Sequence, residues 1–277
     1  MLQTQNLKYT YDESPVLKGI SVGICEGERV AVMGMNGAGK STLFLNLNGV
    51  LEPEEGEIML AGEKINRRNI KTLRHRVGFV FQDADSQIIA SNVRSEVSFG
   101  PMNMGLTRDE VIRRVESAIE YMSLEDMRDR APQYLSGGEK KRVSIADILA
   151  MEPDVLIFDE PMAALDPVNG ARVEEVLNRL HEEGKTLLVA THDVDFAYRF
   201  ADRIIVMCGG EIIADGTPDE IFSMEEILKT AHLKVPAVLT IWRALIKAEN
   251  HERQPDNRPP RTPEELAGLI TEKRILK

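Results

Sequence analysis

The 277-residue chain is 43% apolar and 29% charged, ordinary proportions for a globular protein that buries a core. Its formal net charge of −11 argues against a surface that grips nucleic-acid phosphates or anionic lipid through basic side chains. Cys25 and Cys208 form no metal-ligand spacing, and no apolar run reaches the ~18–20 residues of a membrane span. The first eight residues lack the basic-then-apolar order of a secretory leader, so the chain is expected to be soluble, with any membrane role passing through a partner.

Along the chain, apolar strand-like runs alternate with helical patterns, which predicts an α/β sheet with crossover helices. Arg29–Met33 predicts a short strand that ends in a glycine-rich turn. From about Ser86 to Ala150 the pattern is mostly helical and reads as an inserted helical subdomain. Within it, Thr107 followed by Glu110 and Ser136 followed by Glu139 mark two helix starts. The first of these helices has Val111, Val115, Ala118 and Met122 on one face. Val155–Phe158 predicts a strand closing on two acids, and Thr186–Ala190 one that ends in Thr191-His192. Arg203–Met207 predicts a strand leading to the Gly209-Gly210 turn. Runs apolar on both faces suit strands inside a parallel sheet. His232 and Trp242, beyond these strands, read as packing residues. Thr217-Pro-Asp-Glu220 and Thr262-Pro-Glu-Glu265 add proline at the first helical position. A proline-rich linker over 254–263 sets a last short helix, Glu264 to Lys273, apart from the rest.

Gly34-Met-Asn-Gly-Ala-Gly-Lys-Ser41 fits G-x-x-x-x-G-K-[ST] at every fixed position, between a predicted strand and the apolar stretch that begins Thr42-Leu43. The glycines Gly34, Gly37 and Gly39 let backbone N–H groups turn toward phosphate oxygens, and the following helix adds its positive N-terminal end. Asn36, Ala38 and Thr42 complete the cradle. Lys40 suits the β/γ-phosphates and the Ser41 hydroxyl suits Mg²⁺.

Asp159 and Glu160 end a buried strand, along which side chains alternate, so the two carboxylates are expected to differ in role. Asp159 suits the Mg²⁺ side, and Glu160 suits the general base that deprotonates the attacking water. Leu135-Ser-Gly-Gly-Glu139 is a second anion-binding helix start, in which Ser136, Gly137 and Gly138 offer a hydroxyl and backbone N–H groups. It is also a capping box, and the two readings are compatible. One phosphate loop already covers a triphosphate from one side, so this second start suggests another molecule's ATP as its ligand.

Tyr11, Gly34–Ser41, Gln82, Leu135–Glu139, Asp159-Glu160, Asp166 and His192 stand in the order found in ABC ATPases, which the sequence resembles over about residues 1–215. The resemblance implies an α/β fold: a RecA-like P-loop NTPase core with an antiparallel β-subdomain and the inserted helical subdomain. Residues 216–277 would form a C-terminal dimerisation and regulatory segment with a small helical tail. Tyr11 would stack on adenine, and Gln82 would contact Mg²⁺ and the attacking water. His192 would contact the γ-phosphate, and Asp166 would lie across a dimer interface. The cofactors implied are ATP and Mg²⁺. Two departures stand out: Met162 replaces a common threonine and Glu139 a common glutamine, and neither removes a catalytic group.

Within that family the chain most resembles the ATPase subunits of energy-coupling-factor importers, especially the cobalt/nickel branch. Phe81-Gln-Asp-Ala-Asp-Ser-Gln-Ile-Ile89, with Ala84 for a usual proline, Val97–Leu106 and Pro260–Leu266 carry this likeness. It implies a second copy of the chain, a transmembrane scaffold subunit and a substrate-binding membrane subunit as partners, at the cytoplasmic face of the membrane. Asp85–Ile89 would line the groove for the scaffold. No nucleic-acid partner is expected. The five histidines form no ligand spacing, so the transported solute is not read by this chain, and cobalt, nickel and biotin stay open.

Overall fold

The computed structural model describes residues 1–248 and 258–271. Ten strands form two sheets among these residues: β1 (Leu2–Tyr11), β2 (Ser14–Ile24), β3 (Arg29–Met33), β4 (Glu55–Leu60), β5 (Glu63–Lys64), β6 (Val77–Val80), β7 (Val155–Asp159), β8 (Thr186–Ala190), β9 (Arg203–Cys208) and β10 (Glu211–Gly216). The first sheet is antiparallel, in the order β2-β1-β4-β5. The second runs β10-β9-β3-β8-β7-β6 and is parallel except for β10 at its edge.

The both-sided apolar runs are explained by layers on each face of the second sheet. Val155 and Ile157 of β7 join a core with Leu2, Leu7 and Ile20 of the antiparallel sheet. Leu156 and Phe158, one residue out of phase, join the other core. On the first face lie α1 (Lys40–Leu47), contributing Phe44 and Leu47, and α2 (Ile70–Arg76), contributing Leu73.

The opposite face is helical. α3 (Val93–Asn103), α4 (Arg108–Tyr121) and α5 (Gly137–Leu149) fill the stretch between β6 and β7, and α6 (Pro167–Glu182) follows β7. Thr107 caps α4 by accepting from the Glu110 N–H, and Val115, Ala118 and Met122 are buried beneath it. α7 (Val194–Phe200) follows β8. Beyond β10, the two-sided cap at Thr217 and Glu220 starts α8 (Pro218–Ile221), and α9 (Glu225–Thr230) and α10 (Ala237–Ala248) follow.

The last described helix, α11 (Pro263–Thr271), begins one residue before the expected Glu264. The expected end at Lys273 and residues 254–257 of the expected linker lie outside the described residues. Trp242 of α10 and Leu266 of α11 are buried in the same core as Phe196 and Tyr198 of α7. The Arg261 guanidinium donates to the Tyr198 and Ala201 carbonyls at 2.7 and 3.1 Å. The described parts of the C-terminal segment are thus packed onto the rest of the chain. No helix among the described residues is long and apolar enough to cross a membrane.

Candidate nucleotide site

β3 delivers the chain to Gly34 at φ 145°, where a Cβ would come 2.2 Å from the Met207 carbonyl of β9, so only glycine passes. Gly37 and Gly39 follow with φ of 80° and 101°, and α1 starts at Lys40. The opening N–H groups of a helix have no partner within it, so this loop presents donors and the positive end of α1 together. The Lys40 ammonium is held by the Gly34 and Met35 carbonyls at 2.8 and 3.1 Å. Burial lowers its pKa, while the Glu160 and Asp159 charges oppose that shift.

Parallel pairing sets the acids against this loop. β7 lies beside β8 with Asp159 opposite Ala190, and β8 lies beside β3 with Ala190 opposite Val32. The Glu160 N–H extends the pairing to the Ala190 carbonyl at 3.0 Å. Glu160 then turns to φ 45°, a left-handed conformation that costs a non-glycine residue on the order of 1–3 kcal/mol and concentrates at functional sites. Its carboxylate is buried and meets His192 Nδ1 at 2.9 Å, although the two residues come from different strand ends.

These groups share one cavity of about 920 Å³. Tyr11 and Val16 line it, together with Gly34, Asn36, Gly37, Gly39, Lys40, Ser41, Thr42, Gln82, Asp159, Glu160 and His192. Ala38, the remaining cradle residue, is buried in the core beneath the loop and is not part of the lining. Among the described residues no three His, Cys, Asp or Glu converge as a self-contained metal site. Mg²⁺ does not need one, because it takes one or two carboxylates, phosphate oxygens and water. A single carboxylate at Asp159 with the Ser41 hydroxyl and Gln82 in the same cavity fits that requirement.

Ser136, Gly137, Gly138 and Asp166 do not line this cavity. Ser136 caps α5 through the complete reciprocal pair with Glu139, and its N–H holds the Glu139 carboxyl below its ordinary range. The hydroxyl oxygen accepts in this cap, which leaves its own O–H free to donate. A Cβ on Gly137 would meet nothing within 4 Å, so this helix start opens outward. Asp166 caps α6, accepting from the Val168 and Asn169 N–H groups and from the Asn169 side-chain amide. A Cβ on Gly138 would lie 2.4 Å from Asn169 Cγ, so the two helix starts abut through Asn169.

One of the two residues expected to pack reads differently in three dimensions. Trp242 is buried, as a packing residue is, but His232 is exposed, has φ 53° and lines the cavity with Lys234. The Thr230 carbonyl lies 3.8 Å from Cys208 Sγ at the end of β9, and the Ala237 N–H donates to Asp195 of α7 at 2.7 Å. The chain between them therefore runs across the carboxyl edge of the sheet past the phosphate loop. Lys234 joins Lys40 as a second lysine in the lining of a chain whose net charge is −11. Lys234→Ala is expected to weaken ATP binding by about two- to fivefold at low salt, the scale of one exposed ion pair, and less at high salt. Titration with a fluorescent ATP analogue checks this, and unchanged affinity at low salt would remove Lys234 from the binding surface.

The sequence profile of the ABC transporter family matches residues 17–163. The chain is 43% identical over 253 residues to the energy-coupling factor transporter ATP-binding protein EcfA of Methanocaldococcus jannaschii, covering 90% of this chain and 91% of that protein. It is 46% identical over 248 residues to EcfA of Methanothermobacter thermautotrophicus, covering 88% and 80%. Among solved structures it resembles cbiO1 of Clostridium perfringens, part of the ABC transporter complex cbiONQ, at 40% identity and TM-score 0.73, covering 87% of this chain and 98% of that one. It also resembles the dimeric cassette MJ0796 in a post-hydrolysis state with ADP and Pi, at 31% identity and TM-score 0.70, covering 79% and 99%. The chain belongs to the ABC transporter family, among the energy-coupling factor ATP-binding subunits, and it binds and hydrolyses ATP.

Proposed function

We propose that two copies of this chain bind two ATP molecules at composite sites and energise import of cobalt or nickel ions. Each ATP lies between Gly34–Ser41 of one copy and Ser136-Gly137-Gly138 of the other, with Asp166 at the interface. The observation that carries this reading is a division within one chain. The phosphate loop, Gln82, Asp159, Glu160 and His192 share a cavity, while an intact anion-binding helix start opens outward elsewhere.

Within the composite site, Tyr11 stacks on adenine and Lys40 with the loop N–H groups neutralises the β/γ-phosphates. Ser41, Asp159 and Gln82 would hold Mg²⁺, which would supply charge neutralisation at the phosphate oxygens. Glu160 takes the proton of the attacking water, and His192, oriented by its contact with Glu160, contacts the γ-phosphate. Closure of the two copies moves the Gln82–Ile89 surface and with it a transmembrane scaffold at the cytoplasmic face. Residues 1–215 are the cassette, and 216–277 are the segment that supports dimerisation and regulation.

Glu160→Gln is expected to keep ATP affinity, lower turnover by about 10²–10⁴-fold and hold the chain as a dimer with ATP on gel filtration. Full turnover in this variant would sink the assignment of the base. The transport reading is checked by purifying the tagged chain from its own membranes. A membrane scaffold together with a metal-binding membrane subunit is expected. A vitamin-binding subunit would keep the chemistry and change the cargo to one such as biotin, and ribosomal or DNA-repair partners alone would end the transport reading.

A further inference from the structure

α5 does more than present Ser136–Gly138, because its side also grips the segment that carries Gln82. Lys141 is 2% exposed, and its ammonium donates to the backbone carbonyls of Phe81 at 2.8 Å and Gln82 at 2.7 Å. Further along the helix, the Ser144 carbonyl and the Asp147 carboxylate accept from the Gln87 side-chain amide at 2.7 and 3.1 Å. The Gln87 amide oxygen in turn accepts from the Phe81 N–H at 3.2 Å. The segment from Phe81 to Gln87 is therefore fastened to α5 at both ends.

A buried ammonium is costly unless its hydrogens find partners, so an apolar side chain of the same length would fill this space more cheaply. What an apolar chain cannot do is hold two converging carbonyls. Both carbonyls belong to the segment that puts Gln82 in the nucleotide cavity, and the helix that holds them begins at the outward-facing anion site. The ammonium is also within electrostatic reach of Asp83 and Asp159.

We infer that Lys141 is a positioning residue for hydrolysis: it ties the Gln82 backbone to the helix whose start receives the other copy's ATP. The placement of Gln82 at one nucleotide then follows the docking of α5 on the second. This rests on the composite-site reading above and adds the mechanical link between its two halves.

The test is a double-mutant cycle in the full chain with Lys141→Met and Gln82→Ala, reading ATP affinity, kcat and the steepness of rate against ATP concentration. Lys141→Met should bind ATP within about twofold of the unmodified chain, since Lys40 and its loop are untouched, and lose about tenfold or more in kcat from misplacement. Its ATP dependence should become less steep. In a Gln82→Ala background the same substitution should cost little more, because both act through one group. Additive losses, or a kcat loss matched by a loss of ATP-binding protein, would make Lys141 a purely structural residue and overturn the inference. Should Lys141→Met fail to fold, Lys141→Gln takes its place, being shorter and uncharged and unable to reach both carbonyls as the ammonium does. Unchanged kcat in whichever variant folds also overturns the inference. A silent Gln82→Ala would remove Gln82 from the site and the inference with it, whereas a slow Gln82→Ala beside a fast Lys141 variant would remove the inference alone.

Discussion

The register of three parallel strands fixes the chemistry of this chain. β3 lies beside β8 and β8 beside β7, with Val32 opposite Ala190 and Ala190 opposite Asp159. The phosphate loop leaves β3 one residue after Met33, His192 stands two residues past Ala190, and Glu160 follows Asp159. A slip of one residue in either pairing would swap the two cores and carry the acids to the wrong face. Both cores, one toward the antiparallel sheet and one toward the helices, resist that slip because every side chain of the three strands except Arg29 at the start of β3 is buried.

Groups whose geometry is local were legible in the sequence. The loop from Gly34 to Ser41 encodes its shape in glycines that adopt positive φ, and its strand and helix neighbours are contiguous with it. The cap at Ser136 and Glu139 was legible for the same reason, since both partners sit within one helical turn. Strand ends at Asp159 and Ala190 followed from apolar runs that stop abruptly.

Contacts between distant parts of the chain left no such trace. Lys141 is one of three successive basic residues in sequence, and nothing local tells that its ammonium, and not that of Lys140, turns inward onto residues about sixty positions away. His232 read as a packing residue, yet the turn after α9 carries it over the sheet edge to the cavity. The crowding of Gly138 by Asn169 is equally silent in the sequence, although it brings the Ser136 and Asp166 helix starts together. The same division holds for the proposed function, in which the ATP chemistry is carried by local motifs and the cargo by other subunits.

The central claim is that ATP is held between two copies, and proximity across that interface tests it most directly. Cysteines placed at Asn36 and Gly137, in a chain with Cys25 and Cys208 replaced by serine, put one thiol at the phosphate loop and one at the outward-facing helix start. With ATP bound and hydrolysis blocked at Glu160, a short thiol-to-thiol crosslinker should give a covalent dimer, and without nucleotide it should not. A crosslink confined to a single chain, or none while ATP is bound, would contradict the account.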